Sequence, residues 1–478
     1  MPGVMFVRLR VAVVSCTTYM GRPFIQLILA TVIALGLFGI APSAAWQNEA
    51  TNITSIKAVE FFSPTKVWTA HLTLSAEAWK AMQPRYGASN GGFGFGGGGG
   101  DRFLAPPGGR NGVAGRQGIE YSYVHATLQM DDWTFRDVAV RYKGNGSYLR
   151  ATRSGGDKIS LKVDLNKYVK GQALAGITTI NFQNNITDVG WMNEVLAYRL
   201  YRDAGALAPR TTYAQVYLTV EGQREKRYLG LYSISENVDE NFAEERFGTT
   251  KGAIFKPSTS SLFTDWGADW SAYNQSYDPK TDLTDAQKQR VIDLGRLVSA
   301  APDEEFAAKI ADFVDLDDFA RYFAVLVWLA NHDSLLQNGQ NFYTYLNPHT
   351  NKMQFIAWDQ DFSFGNGRTN GGVWSIYSPF TGQRFVSRLY GVEAFRSKYL
   401  ARMAEFSERL FVPERFAQQV SEIGRAIRPS IELEGPEWLT AFDQVVAGRS
   451  GIVPYVTNRA AFVNGELQKQ EKPLEKPR

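Results

Sequence analysis

The feature that most constrains how this 478-residue chain can fold is a change of hydrophobic period near Gly252. Before it, short runs alternate apolar and polar residues as half-buried strands do; after it, apolar residues return at helical spacing. Strands are expected over residues 58–74 (AVEFF, then VWTAHLTL), 121–130, 138–142, 158–165, 176–182, 212–220 and 227–235, with helices over 76–82 and 191–203. Helices are expected over 285–300, 304–313 and 317–330, the last opened by Leu316-Asp317-Asp318, an acidic start that suits a helix N-terminus. Two short strands, 342–346 and 353–358, interrupt the helical half around Asn347-Pro-His-Thr-Asn351, and helices resume after Gly391. The class implied is α+β, with an antiparallel-sheet-rich N-terminal lobe and a mainly helical C-terminal lobe.

Residues 1–45 read as a targeting segment: Arg8, Arg10 and Arg22 precede an apolar run over 24–40, and APSAA at 41–45 offers a cleavage site. The expectation is a cleaved signal peptide and an exported chain. The alternative is an uncleaved N-terminal membrane anchor, because the run approaches the length of a bilayer span. The only cysteine, Cys16, lies in this segment, so the mature chain has no disulfide and depends on packing. Residues 87–118 contain five consecutive glycines at 96–100 and the pair Pro106-Pro107, a composition costly to order. A flexible surface insertion is expected there rather than a phosphate-cradling loop, which needs a strand before it, a helix after it and a fixed glycine spacing. The lobes are expected over 46–250 and 251–465, and a charged, frayed tail over 466–478. The 51 basic and 48 acidic residues nearly balance, and no basic block is interleaved with aromatics, so a nucleic-acid partner is not indicated.

Three segments carry chemistry. The first is Asn331-His332-Asp333-Ser-Leu-Leu-Gln-Asn338-Gly-Gln-Asn341, a polar loop where a long apolar helix ends. Asp333 followed five residues later by Asn338 has the spacing of a general base and a metal-binding amide in kinase catalytic loops, and Asn341 is a second candidate amide. The bland reading is that these side chains satisfy a helix end and turn. The second is Trp358-Asp359-Gln-Asp361-Phe-Ser-Phe-Gly365, where an apolar strand delivers two carboxylates suited to Mg²⁺, a hard cation that leaves places for phosphate oxygens. An Asx-type turn or calcium loop is the competing reading, without further acidic spacing to support calcium. The third is Lys143-Gly144-Asn145-Gly146-Ser147, a small-residue turn, followed by a strand on which Lys158 and Lys162 are expected to share a face. Glu194, on the expected helix 191–203, is available to pair with one of those lysines, although a surface glutamate is the simpler role.

Other chemistries fit less well. His71, His125, His332 and His349 lack ligand spacing for zinc, and neither a cysteine nucleophile nor a GxSxG elbow is present in the mature chain. Asp359 and Asp361 sit on one short segment and would not flank a sugar without a third group.

Taken as an ordered series, VRYKGNGSY with DKISLKVDL, NEVLAYRLYRDAGALAPRTTYAQVYL, YLGLYSISENVDENF, GAIFKPS, WLANHDSL, NFYTYLNP and FIAWDQDFSFG resemble the CotH family of spore-coat kinases, atypical secretory protein kinases, over about residues 59–416. The resemblance implies an atypical protein-kinase-like fold and transfer of the ATP γ-phosphoryl group to Ser/Thr hydroxyls of a protein substrate, with Mg²⁺ or Mn²⁺. It implies that Asp333 is the catalytic aspartate and that Asp359 or Asp361 is the metal-binding one. Lys158 or Lys162 would be the phosphate-binding lysine, Glu194 its helix partner, and Glu236 would fall at the nucleotide cleft and its hinge. Kinase spacing selects Asn338 as the metal-binding amide, whereas the family's Asn-aromatic-aromatic pattern selects Asn341. Gly146 departs from the small hydroxyl residue usual there. Three other readings stay open: a catalytically silent surface or adhesion module, an AMP transferase, and an extracellular calcium-dependent carbohydrate enzyme.

Overall fold

In the computed structural model the described residues are 50–86, 104, 109–337, 339–365, 371–378, 383–447 and 451–471. The expected signal peptide with Cys16, the glycine run of the insertion, Asn338 and the end of the charged tail lie outside the described residues.

The first half builds a barrel. Seven strands take part: β1 (Val67–Leu74), β2 (Val124–Met130), β3 (Trp133–Tyr142), β4 (Leu161–Asp164), β5 (Thr179–Gln183), β6 (Thr211–Val220) and β7 (Arg224–Glu236). Their order is β6-β7-β5-β4-β3-β2-β1, and the sheet closes where β1 pairs with β6. Every pairing is antiparallel except this closing one, which runs parallel from Tyr213↔Val67 to Val220↔Leu74. Closure follows from the strand pattern: in β1, Trp68, Ala70, Leu72 and Leu74 are buried and join Leu128, Val140, Val163, Ile180 and Val216 in one core. Burying a Val, Leu or Phe side chain contributes roughly 1.5–3 kcal/mol, and closing the sheet removes exposed edges. The sequence pattern led to an antiparallel sheet; the closed barrel with a parallel seam is the structure's addition.

The second half is mainly helical around a second core. The helix α1 (Gly146–Arg153) belongs to the barrel side, and α2 (Asn193–Asp203) joins the second core through Val195, Leu196, Tyr198 and Leu200. Downstream come α3 (Glu240–Phe247), α4 (Asp285–Ala300), α5 (Asp303–Phe313), α6 (Leu316–Leu329), α7 (Arg384–Gly391), α8 (Glu393–Arg409), α9 (Pro413–Glu432), α10 (Pro436–Ala447) and α11 (Ile452–Glu471). A three-stranded antiparallel sheet of β8 (Ala253–Phe255), β9 (Phe342–Asn347) and β10 (Lys352–Ala357) carries the hairpin expected from sequence. The central helix is α6. Asp315 caps it by accepting the Asp318 amide at 3.0 Å, and it stops at Ala330, whose φ of 50° is left-handed. Among the described residues no helix is long and apolar enough to cross a membrane.

Several local expectations are corrected. AVEFF forms the helix Ala58–Phe61, not a strand, because the Glu60 side chain turns back to accept the Lys57 amide at 3.0 Å. The strand expected over 158–165 begins only at Leu161, so Lys158 lies before it. The tail is not frayed from Glu466: α11 runs to Glu471, and Glu466 accepts the Ser375 hydroxyl and the Ile376 amide, each at 2.7 Å. Helices resume already at Arg384. The described end of the insertion is packed rather than loose, with Arg110 donating to Asn145 Oδ1 at 3.0 Å and Asn111 to the Gln275 carbonyl at 2.7 Å.

Candidate functional site

The loop after α6 is anchored from both ends. Asn331 is fully buried; its Oδ1 accepts the Asp333 amide at 3.0 Å, and its carbonyl accepts the Ser334 hydroxyl at 2.6 Å. Asn341, at a left-handed φ of 64°, donates its side-chain amide to the Asp333 carbonyl at 2.6 Å. Gln340 donates to the Asp333 carboxylate at 2.7 Å. Asp333 is thus held from its main chain and presents a half-buried carboxylate. Asn341 spends its amide on the loop; Asn338 lies outside the described residues.

Strand β10 delivers the second motif. Asp359 takes a φ of 56°, a strained value for a residue with a side chain, and its amide donates to the Tyr198 hydroxyl at 2.9 Å. No hydrogen bond reaches its carboxylate among the described residues. Gln360 is fully buried: its Nε2 donates to the Trp358 carbonyl at 2.9 Å and its Oε1 accepts from Asn331 Nδ2 at 3.2 Å. One buried amide pair therefore ties the Asp333 loop to the carboxylate hairpin. Asp361 accepts a short hydrogen bond from the Thr187 hydroxyl, and its carbonyl accepts from Asn193 Nδ2 at 3.0 Å. Gly365 has a φ of 73°, and a Cβ there would stand 2.7 Å from the Tyr455 ring, so glycine is required.

The charges are mutually dependent. Burial, then the nearby Asp359, pushes the Glu194 carboxyl up to about 7. Burial raises Asp359 against the pull of Lys256 and Lys143, and burial with Asp359 holds Asp361 well above the usual carboxylate range. Burial lowers the Lys143 ammonium to about 7, with Glu194 as its largest attractive partner. Among the described residues no three His, Cys, Asp or Glu side chains converge as a metal cage. Asp359 and Asp361, two hard carboxylates on one turn, are the side chains here that could hold a hard divalent cation.

The barrel-side residues divide. Lys143 follows β3 and donates to Gln183 Oε1 at 2.9 Å. The turn Lys143-Gly144 (φ 100°) opens α1, which starts at Gly146. The position of Glu194 comes from the buried Asp188, which accepts the Asn193 amide at 2.7 Å at the start of α2. Glu194 accepts the Ser235 hydroxyl at 3.2 Å, and Tyr198 links it to the Asp359 amide. The lysine in its field is Lys143, not Lys158 or Lys162 as expected. Those two do not share a face. Lys158 forms an ion pair with Glu434 at 2.6 Å, while Lys162, on β4, reaches Asn237 Oδ1 at 3.4 Å. Glu236 stands at the end of β7 as expected, but its carboxylate is taken up by Arg210 at 2.5 Å and Arg246 at 2.7 Å. Those guanidinium groups hold its carboxyl below the usual value against the cost of burial.

Sequence reasoning missed Asn331 and Gln360 as a clasp, and it passed over Lys256 although GAIFKPS was noticed. It also missed the support behind the loop. Arg459 of α11 is fully buried and donates to the carbonyls of Trp328 at 3.0 Å, Val327 at 2.9 Å and Trp374 at 2.5 Å, while Tyr455 donates to the Leu329 carbonyl at 3.1 Å. These four carbonyls include the C-terminal ones of α6. In the loop itself, Gly339 has a φ of 65°, and a Cβ there would lie 2.0 Å from the Thr259 carbonyl. Gly339→Ala is expected to displace the Asp333 loop and lower any turnover by at least about tenfold, while the melting temperature falls by only a few degrees. Unchanged turnover in the purified variant would refute this.

A family model described as CotH kinase protein matches residues 140–463. The chain is 22% identical over 337 residues to inner spore coat protein H of Bacillus subtilis (strain 168), covering 69% of this chain and 87% of that protein. A solved structure of the Shewanella oneidensis MR-1 toxin–antitoxin proteins HipA and HipB with operator DNA aligns at 14% identity and a TM-score of 0.27. That alignment spans 62% of this chain and 61% of the other, and at this score it carries no argument about the fold.

Proposed function

Because this chain belongs to the CotH kinase protein family, we propose that it is an exported phosphotransferase that moves the γ-phosphoryl group of ATP to a Ser/Thr hydroxyl of a protein. The observation that carries this reading is the Asn331–Gln360 amide pair at 3.2 Å, which fastens the Asp333 loop to the Asp359/Asp361 turn in one fixed arrangement. Export is supported by the composition of residues 1–45 and by the spore-coat relative.

In this reading Asp333 orients the acceptor hydroxyl and accepts its proton. The hydroxyl oxygen bonds to the γ-phosphorus, the bond to the β–γ bridging oxygen breaks, and ADP leaves. Asp359 and Asp361 would hold Mg²⁺ or Mn²⁺, which supplies positive charge against the phosphate oxygens. Tyr198 fixes the Asp359 main chain, and Thr187 orients Asp361. The Lys143-Gly144 turn stands on the barrel side as a cover.

Two measurements test the reading. Millimolar ATP with Mg²⁺ or Mn²⁺ is expected to raise the melting temperature of the mature protein; ligand at 100 times its Kd stabilises by about 2.7 kcal/mol. No shift with nucleotide would favour a silent module, and a shift with calcium alone would favour the carbohydrate-enzyme reading. Mass spectrometry after incubation with ATP and candidate partners is expected to show added phosphate; added AMP would establish nucleotidyl transfer instead.

A further inference from the structure

The glycine-rich insertion leaves from and returns to one stem. Arg85 pairs with Glu120 and Tyr86 with Ile119, in a two-residue antiparallel ladder. Just before the return, the limb over 109–118 makes the short helix Val113–Arg116, where the Arg116 amide donates to the Gly112 carbonyl at 3.0 Å. Ala114 and Ile119 are buried in the barrel core, so the limb is anchored from inside.

This limb grips a turn of the barrel half and a helix of the helical half. On the barrel side it meets Lys143-Gly144-Asn145-Gly146-Ser147. Arg110 donates to Asn145 Oδ1 at 3.0 Å, and its guanidinium lies 4.5 Å from the Tyr121 ring centre. The Tyr121 hydroxyl in turn donates to the Gly144 carbonyl at 2.9 Å. Gly112, at a φ of 99°, lies against the Asn145 side chain, with which a Cβ would collide. On the helical side Asn111 Nδ2 donates to the Gln275 carbonyl at 2.7 Å, and Gln275 Nε2 donates back to Asn111 Oδ1 at 3.3 Å. Gln275 belongs to the short helix Ser271–Tyr277, whose Tyr273 and Tyr277 are buried in the second core. Neighbouring residues Arg110 and Asn111 therefore hold different halves.

The turn does not hold its place unaided. It carries two glycines, and the helix α1 that follows has eight residues, too few to be stable in water alone. Its position must be imposed by what packs on it. Because Asn111 holds the helical half, that position is set in the same frame as Asp333 and Asp359. Two hydrogen bonds between neutral amides shift a local equilibrium by roughly tenfold, too little to decide folding and enough to decide how often the turn is in place.

We propose that residues 109–118 are a strap that fixes the 143–147 turn against the helical half, with Arg110 and Asn111 as positioning residues that act through Asn145 and Gln275. The strap stands on these contacts; its effect on turnover rests on the phosphotransferase reading, in which the turn is a cover. With the strap released, the turn is in place for a smaller fraction of the time, and the apparent affinity for what it covers falls by that fraction.

Hydrogen exchange of the mature protein, read by mass spectrometry, tests the strap without requiring turnover. The side-chain hydrogen bonds of Asn111 go to Gln275, so a merely local role would loosen only 271–277. Asn111→Ala is expected to speed exchange by about tenfold or more over 143–153 as well, with β6 unchanged. Arg110→Met is expected to do the same over 143–153. Melting temperatures check folding, and Gln275→Ala breaks the pair from the helical side if Asn111→Ala is unfolded, with exchange over 143–153 faster by at least about threefold. In Asn111→Ala the KM for ATP is expected to rise by about fivefold or more while kcat stays within about threefold, because placement is lost and the chemistry is not. Exchange over 143–153 at the wild-type rate in the folded variants overturns the strap, whatever happens over 271–277. A kcat that falls at unchanged KM overturns the positioning role. Faster exchange over 143–153 in a protein whose wild type binds no ATP supports the strap and overturns the phosphotransferase reading.

Discussion

Asp333→Ala and Asp359→Ala, made singly in the mature protein, are expected to reduce phosphoryl transfer to background, a loss of at least about a thousandfold, with melting temperatures within a few degrees of wild type. The two losses have different origins. Asp333 would orient the acceptor hydroxyl and take its proton. Asp359 would hold the cation that balances the phosphate oxygens, so metal-dependent nucleotide binding should fall in Asp359→Ala and survive in Asp333→Ala. Folding should persist because the loop is held mainly through its backbone: Asn331 Oδ1 accepts the Asp333 amide at 3.0 Å and Asn341 Nδ2 donates to the Asp333 carbonyl at 2.6 Å. The Asp359 carboxylate, for its part, makes no hydrogen bond among the described residues. Transfer measured by phosphate incorporation that continues undiminished in either variant would remove the assignment.

The largest expected effect on stability lies away from the chemistry. Glu434→Gln should destabilise the protein by about 3–5 kcal/mol, because it leaves the Lys158 ammonium buried without a counter-charge. The pair is close, at 2.6 Å, with the two side chains only 16% and 7% exposed, and Glu434 also accepts the Leu231 amide at 2.7 Å. The adjoining Gly230, at a φ of 132°, makes room for it; a Cβ there would meet Lys158 Cε at 2.8 Å. Glutamine retains the acceptor for the Leu231 amide, so the loss reports the charge. The double variant Lys158→Met/Glu434→Met should recover most of the lost stability, because it removes both charges and fills the space. Denaturant midpoints measure both outcomes, and a shift of under about 1 kcal/mol in Glu434→Gln would show that the pair is solvated.

This ion pair also explains one limit of sequence reading. A strand pattern over 158–165 places Lys158 and Lys162 on one face only if the strand runs through both, and the ladder begins at Leu161. Once Lys158 is outside the ladder, its direction is set by a helix end far away in sequence. Lys143 was visible only as part of a turn, since its relation to Glu194 depends on how α2 packs under the barrel. Lys256 follows a three-residue strand whose partner, β9, lies almost a hundred positions later, so no local period marks it.

Other parts were legible because their causes are local. Helix α4 spans Asp285–Ala300, the range its apolar spacing indicates, with Thr284 as a capping residue. The hairpin of β9 and β10 follows from two apolar runs around a polar turn. Asp333 precedes that hairpin in sequence and the Asp359/Asp361 pair follows it, which made their meeting foreseeable.

By itself, then, the sequence determined the α+β class, the position of most elements and the two acidic motifs, because helix and strand periods and turn chemistry act over a few residues. The tertiary structure decided that the sheet closes through a parallel seam, that Glu236 belongs to Arg210 and Arg246, that Lys158 belongs to Glu434, and that Lys143 and Lys256 flank Trp358. These outcomes depend on which distant surfaces pack together and on the burial that forces each charge to find its partner.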